Sequence, residues 1–136
     1  EVTRIIDYKT GGTLKKISGI KSVEELFTRS GDKDYGKVFQ TFYYAYLMRG
    51  EYDRIAPSLL FVRETADEHF EPYIEMNKKP VSDFSDYYDE FGEQLHALIE
   101  EIFNSDVPYT AATTDSACKY CKFLSLCGKK EEKNDY

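Results

Sequence analysis

Six apolar residues step along the second half of the chain by four, three, four, three and four: Phe84, Tyr88, Phe91, Leu95, Leu98 and Ile102. That spacing places all six on one face of a helix, with acidic residues on the other. The helix is predicted to start at Ser82 or Asp83 and to end near Asn104. Its stripe needs an apolar surface to pack against. A second helical pattern runs from Tyr35 to Arg49. There Val38, Phe39, Phe42, Tyr43, Ala45, Tyr46 and Leu47 form a broad apolar face, and Gly50 suits a C-terminal cap.

Between and before these helices the pattern changes. Val2, Ile5, Ile6 and Tyr8 favour a strand over residues 2–9, and a Thr-Gly-Gly turn signal follows. Residues 10–22 read as a loop. Ser22 can cap a short helix, with Glu25 three residues on. Residues 29–34 are polar and turn-like. Pro57–Arg63 reads as a buried strand with Pro57 at its start. Tyr73–Met76 reads as a further strand, with a turn at Asn77–Pro80. The order strand, helix, strand, strand, helix predicts a mixed α/β domain.

Composition narrows the function. At 136 residues the chain has the length of about one domain with a modest core. No run of roughly 18 apolar residues is present, so no transmembrane helix is expected. The net charge of -7 argues against wrapping nucleic acid by bulk charge. It leaves room for an enzyme that meets DNA at one metal site while other domains hold the nucleic acid. The three cysteines lie close together near the end of the sequence. An odd, clustered set is a poor disulfide framework and reads as a ligand cluster in a reducing, cytoplasmic compartment. Residues 1–117 read as one domain, and residues 118–136 as a cysteine-rich segment with a charged tail.

Three constellations carry chemistry. Asp7 and Lys9 end the first strand, two residues apart and therefore on one face. A carboxylate there can hold Mg²⁺, and a lysine beside it can orient water or stabilise charge on a phosphate. The alternative is an exposed ion pair at a strand end. Gln40 and Tyr44 lie one helical turn apart and share a face. Both can steady a phosphate or a metal-bound water; the alternative is a polar edge on an apolar helix. Cys118, Cys121 and Cys127 follow a C-x2-C-x5-C spacing that suits metal or cluster ligation. A fourth ligand is needed, and His69 or His96 can complete a zinc site, although His96 reads more readily as a surface residue. The alternative is three buried thiols without metal.

Taken in order, Ile5-Ile-Asp-Tyr-Lys-Thr-Gly11, Gln40-x-x-x-Tyr44 and Cys118-x-x-Cys121-x5-Cys127 resemble the RecB/AddB-like iron–sulfur nuclease domain of the PD-(D/E)XK superfamily. The resemblance covers nearly the whole chain. It implies a restriction-endonuclease-like core, a metal-binding role for Asp7 and a catalytic role for Lys9. It also implies site-shaping roles for Gln40 and Tyr44, with Mg²⁺ or Mn²⁺ as cofactor. The three cysteines then hold a 4Fe–4S cluster together with a fourth cysteine that the family places before the nuclease motifs.

The family also places a second metal-binding Asp before the Asp-x-Lys strand. Neither that residue nor the first cysteine precedes Glu1, so the sequence reads as a piece of a longer chain, truncated at its N-terminus. As a piece it is expected to be inactive and to lack a complete cluster. The parent is expected to be a DNA exonuclease in double-strand break processing and recombinational repair, partnered by DNA and a helicase domain or subunit and independent of membranes. The alternatives are a non-catalytic nuclease-fold module for DNA or helicase docking, and a small zinc-ribbon-like interaction domain.

Overall fold

A computed structural model describes residues 1–12, 17, 19–28, 35–110, 118 and 121–128. In chain order its elements are β1 (Thr3–Lys9), α1 (Glu24–Phe27), α2 (Gly36–Met48), β2 (Ile55–Phe61), β3 (Glu75–Met76) and β4 (Lys79–Pro80). A 3-10 turn at Phe84–Tyr87 then leads into α3 (Tyr88–Phe103). The architecture is mixed α/β. Two compact units divide the chain, Glu1–Ile102 and Phe103–Tyr136. The predicted turn at 29–34 lies outside the described residues.

In the first unit β1 and β2 pair in parallel, in register from Thr3 opposite Ile55 to Lys9 opposite Phe61. Parallel neighbours need a crossover connection, and α1 and α2 lie within it. Ile55, Leu59 and Phe61 of β2 enter the core, with Ile5 of β1 packed against it. Asp7 and Lys9 share the face of these residues because strand side chains alternate. Val38, Phe42 and Ala45 bring α2 into the same core. Phe91 of α3 is fully buried among the rings of Phe27, Phe39, Phe42, Tyr46 and Phe84, at centroid distances of 5.3 to 6.0 Å. A Cβ on Gly92 would stand 3.0 Å from the Tyr46 ring, so glycine permits this close approach of α3 to α2.

Several local expectations are corrected. Ser22 does not cap α1: Val23 is the cap residue and no side chain serves it. Glu25 instead accepts from the Lys21 amide at 3.2 Å. Gly50 does not adopt a left-handed cap, since α2 passes through a right-handed Arg49. Pro57 is third in β2, not first. Leu59 N donates to Pro72 O and Val62 N donates to Lys9 O, so the odd-numbered amides of β2 point away from β1. Proline at 57 therefore removes no bond to β1. Asn77 and Lys78, both at positive φ, form a two-residue hairpin turn, and Lys79–Pro80 returns as β4. Asp83 begins the last helical segment by accepting from Ser85 N at 3.0 Å. The stripe after it is only partly used: Phe84 and Phe91 are buried, Leu95 packs on the core, and Ile102 is 46% exposed.

In the second unit residues 122–128 of the cysteine segment are a run of turns. Cys121 N donates to Cys118 O at 3.0 Å, and Cys127 N to Leu124 O at 3.1 Å. Gly128 closes the run at φ 67.

Candidate active site

The site forms where the C-terminal end of β1 meets α2. The buried positions of α2 are Val38, Thr41, Phe42 and Ala45, a one-face spacing that seats the helix on the sheet. Gln40 and Tyr44 stand on the neighbouring stripe of the same helix. Seating α2 therefore carries both side chains to the level of β1's last residues.

The four residues singled out in the sequence form one linked chain. Lys9 Nζ lies 2.7 Å from Asp7 Oδ2. The same ammonium donates to Gln40 Oε1 at 2.7 Å. Gln40 Nε2 donates to the Tyr44 hydroxyl at 2.6 Å. Gln40 is thereby oriented at both ends, its carbonyl toward Lys9 and its amide toward Tyr44. Asp7 and Lys9 are paired at the strand end but not exposed there: their side chains are only 13% and 18% exposed. They sit on the core face of β1, under α2, which screens them from water.

Asp7 Oδ2 is shielded from solvent and faces the Lys9 ammonium at 2.7 Å. A shielded carboxylate is costly without a counter-charge, and Asp7, already paired with one cation, has further lone pairs that a metal ion can use. It supplies one ligand of the oxygen shell that Mg²⁺ or Mn²⁺ requires. Among the described residues no three of His, Cys, Asp or Glu gather into a metal-binding group. Asp7 therefore fits a divalent cation as one corner of a shell, not as a complete site.

The same test bears on the thiols. Cys118 and Cys121 are half-buried, Cys127 is exposed, and none forms a disulfide. As placed, they do not converge on a common point that a cluster or a tetrahedral zinc ion could occupy. His69 is exposed, and its backbone amide donates to Asp67 Oδ1. His96 is a surface residue 3.4 Å from Glu100.

One neighbour escaped the sequence reading. Gly12, at φ +85, turns the chain just after β1, and a Cβ there would meet Phe61 at 3.5 Å and Lys37 Cε at 4.0 Å. Lys37 is one turn ahead of Gln40 on α2, a spacing that could have flagged it.

A model of the PD-(D/E)XK nuclease superfamily matches residues 1–128. The chain therefore belongs to the PD-(D/E)XK nuclease superfamily, and its mixed α/β fold is consistent with that family. Members of this superfamily are generally nucleases that use divalent metals and bind DNA. Neither a curated protein nor a solved structure matches the chain. No described helix is long and apolar enough to cross a membrane.

Proposed function

We propose that the chain is part of a metal-dependent DNA exonuclease of the RecB/AddB-like iron–sulfur type. It acts in a helicase–nuclease or as a stand-alone exonuclease, in cytoplasmic double-strand break processing and recombinational repair. The observation that carries this reading is the linked chain Asp7, Lys9, Gln40 and Tyr44, closed by contacts of 2.6 to 2.7 Å. Asp7 would hold Mg²⁺ or Mn²⁺ through its carboxylate. The bound cation supplies an activated water and a clamp on the scissile phosphate. Lys9 places a positive charge and N–H donors beside that phosphate, where negative charge grows during hydrolysis. Gln40 fixes the Lys9 ammonium, and Tyr44 fixes Gln40. The half-buried setting strengthens each of these interactions relative to water.

The C-x2-C-x5-C spacing supports Cys118, Cys121 and Cys127 as three ligands of a 4Fe–4S cluster. Metal ligands commonly come together only on binding, so the spread seen without metal is compatible with that role. One observation favours a second reading: among the described residues no group of three or more His, Cys, Asp or Glu gathers around Asp7. In that reading the fold persists as a DNA- or helicase-docking module.

The two are separated by assaying the full-length protein on end-labelled linear and closed circular DNA, with Mg²⁺, with Mn²⁺ and with EDTA. Metal-dependent release of short products from linear DNA alone is expected. Cleavage of circles would overturn the exonuclease assignment, and DNA binding without any cleavage would favour the docking module.

A further inference from the structure

We propose that Lys37 is a DNA-backbone contact of this nuclease site and grips a phosphate next to the scissile one. The inference rests on the nuclease reading above and adds a residue to it. Three observations carry it. First, Lys37, Gln40 and Tyr44 fall three and four residues apart on α2 and form one stripe, and Gln40 of that stripe holds Lys9 at 2.7 Å. Second, the Lys37 side chain reaches the turn that follows β1. Its Cε lies 4.0 Å from where a Gly12 Cβ would be, and Phe61 Cε1, opposite Lys9 in register, lies 3.5 Å from the same point. Lys37 thus stands at the rim of the site, one helical turn from Gln40. Third, its ammonium makes no ion pair or hydrogen bond with another described residue.

The third point gains force from the charge balance. The chain carries 25 acidic and 18 basic residues, and an exposed cation has many carboxylates to pair with. Lys9 is partly neutralised by Asp7 at 2.7 Å. Among the described residues, Lys37 is an unpaired cation at this end of β1, as is Arg63 just past Phe61, and Lys37 is the one on the Gln40 stripe of α2. A DNA strand presents a phosphate at every nucleotide, so a strand with one phosphate at Lys9 has neighbouring phosphates within reach of the rim. A net charge of -7 argues against bulk attraction by this chain, so within it a local cation is what can grip the backbone. A flexible ammonium suits this task because it acts as a point charge without demanding one orientation.

The Lys37 backbone carbonyl accepts from Thr41 Oγ1 at 2.9 Å, a bond that side-chain substitution leaves in place. Lys37→Ala and Lys37→Arg in the full-length protein are the test, with a fluorescein-labelled oligonucleotide titrated by anisotropy in Ca²⁺ across a salt series. Lys37→Ala is expected to weaken binding roughly tenfold at low salt. It should also make the slope of log affinity against log salt shallower by about one. Lys37→Arg should keep the wild-type slope. In steady-state cleavage with Mg²⁺ the Lys37→Ala loss should fall on KM more than on kcat. Wild-type affinity and slope in Lys37→Ala would overturn this inference and leave the nuclease reading standing. A wild-type protein that neither binds nor cleaves DNA would overturn both. Should Lys37→Ala prove unfolded by circular dichroism, Lys37→Gln takes its place with the same expected slope.

Discussion

Two regions carry the chain's chemistry, and they are built in opposite ways. Asp7 and Lys9 are far in sequence from Gln40 and Tyr44, yet the four meet at 2.6 to 2.7 Å. Cys118, Cys121 and Cys127 are near neighbours in sequence, yet they do not form a metal-binding group. The first region borrows its precision from packing: β1, β2 and α2 share one core, and side chains on rigid elements inherit fixed positions. In the second, the described residues from Lys122 to Gly128 are mostly exposed turns, with Phe123 and Leu126 65% and 82% exposed. The comparison teaches that proximity in sequence is no substitute for burial when a site must be held ready.

The largest effect that could break this comparison is on catalysis. In the full-length protein Asp7→Ala or Lys9→Ala should lower Mg²⁺-dependent cleavage by roughly a hundredfold to a thousandfold. Some stability should be lost as well, because each substitution leaves the partner charge of a largely buried ion pair uncompensated. Gel assays and thermal melts report both quantities, and wild-type cleavage in either variant would remove that residue from the site.

Next comes the packing that holds the first region. Phe91→Ala empties the centre of the aromatic cluster and should cost about 3–5 kcal/mol, read from urea midpoints. A loss under about 1 kcal/mol would show that α3 does not support α2 as described.

The second region supplies a smaller effect. Reconstituting the full-length protein with iron and sulfide should slow hydrogen exchange at the amides around Cys118–Cys127 by about tenfold or more, while β1 changes little. Iron uptake with unchanged exchange at these cysteines would assign the metal elsewhere.

The smallest effect concerns Asp83. Desolvation pushes its carboxyl up, but the hydrogen bonds from Arg54 and Ser85 and the Arg54 charge together outweigh it and hold the group below its ordinary value. A depressed folded-state value contributes stability above the unfolded value, near pH 4, and loses it as pH falls through the folded value. Asp83→Ala should cost about 0.5–2 kcal/mol at neutral pH through the lost cap, and less in acid. Urea midpoints at several pH values check it, and a pH-independent loss would contradict the stated cause.

What was legible in the sequence was local. The stripe from Phe84 to Ile102 and the broad face from Val38 to Leu47 announced two helices because helical periodicity is written in neighbouring residues. The spacings of Asp7 with Lys9, and of Gln40 with Tyr44, announced shared faces for the same reason. The helix caps were less legible. Ser22 and Gly50 are suitable residue types, but the chain direction at each end follows from packing, and Val23 and Arg49 occupy those positions instead.

By itself, then, the sequence determined the two long helices and the first strand, which residues share a face within each, and the family to which the chain belongs. The resemblance implied that the two pairs share one site, and only the tertiary structure decided how they meet, through Lys9 Nζ on Gln40 Oε1. The parallel register of β1 and β2 leaves α2 to cross over the sheet, and its buried stripe sets its rotation. That rotation, not any local spacing, aims Gln40 at Lys9 and Lys37 at the Gly12 turn. The physical reason is that backbone periodicity is a short-range property. The meeting of residues 9 and 40 depends on burying Val38, Phe42 and Ala45 against Leu59 and Phe61, a gain available only once the whole core closes.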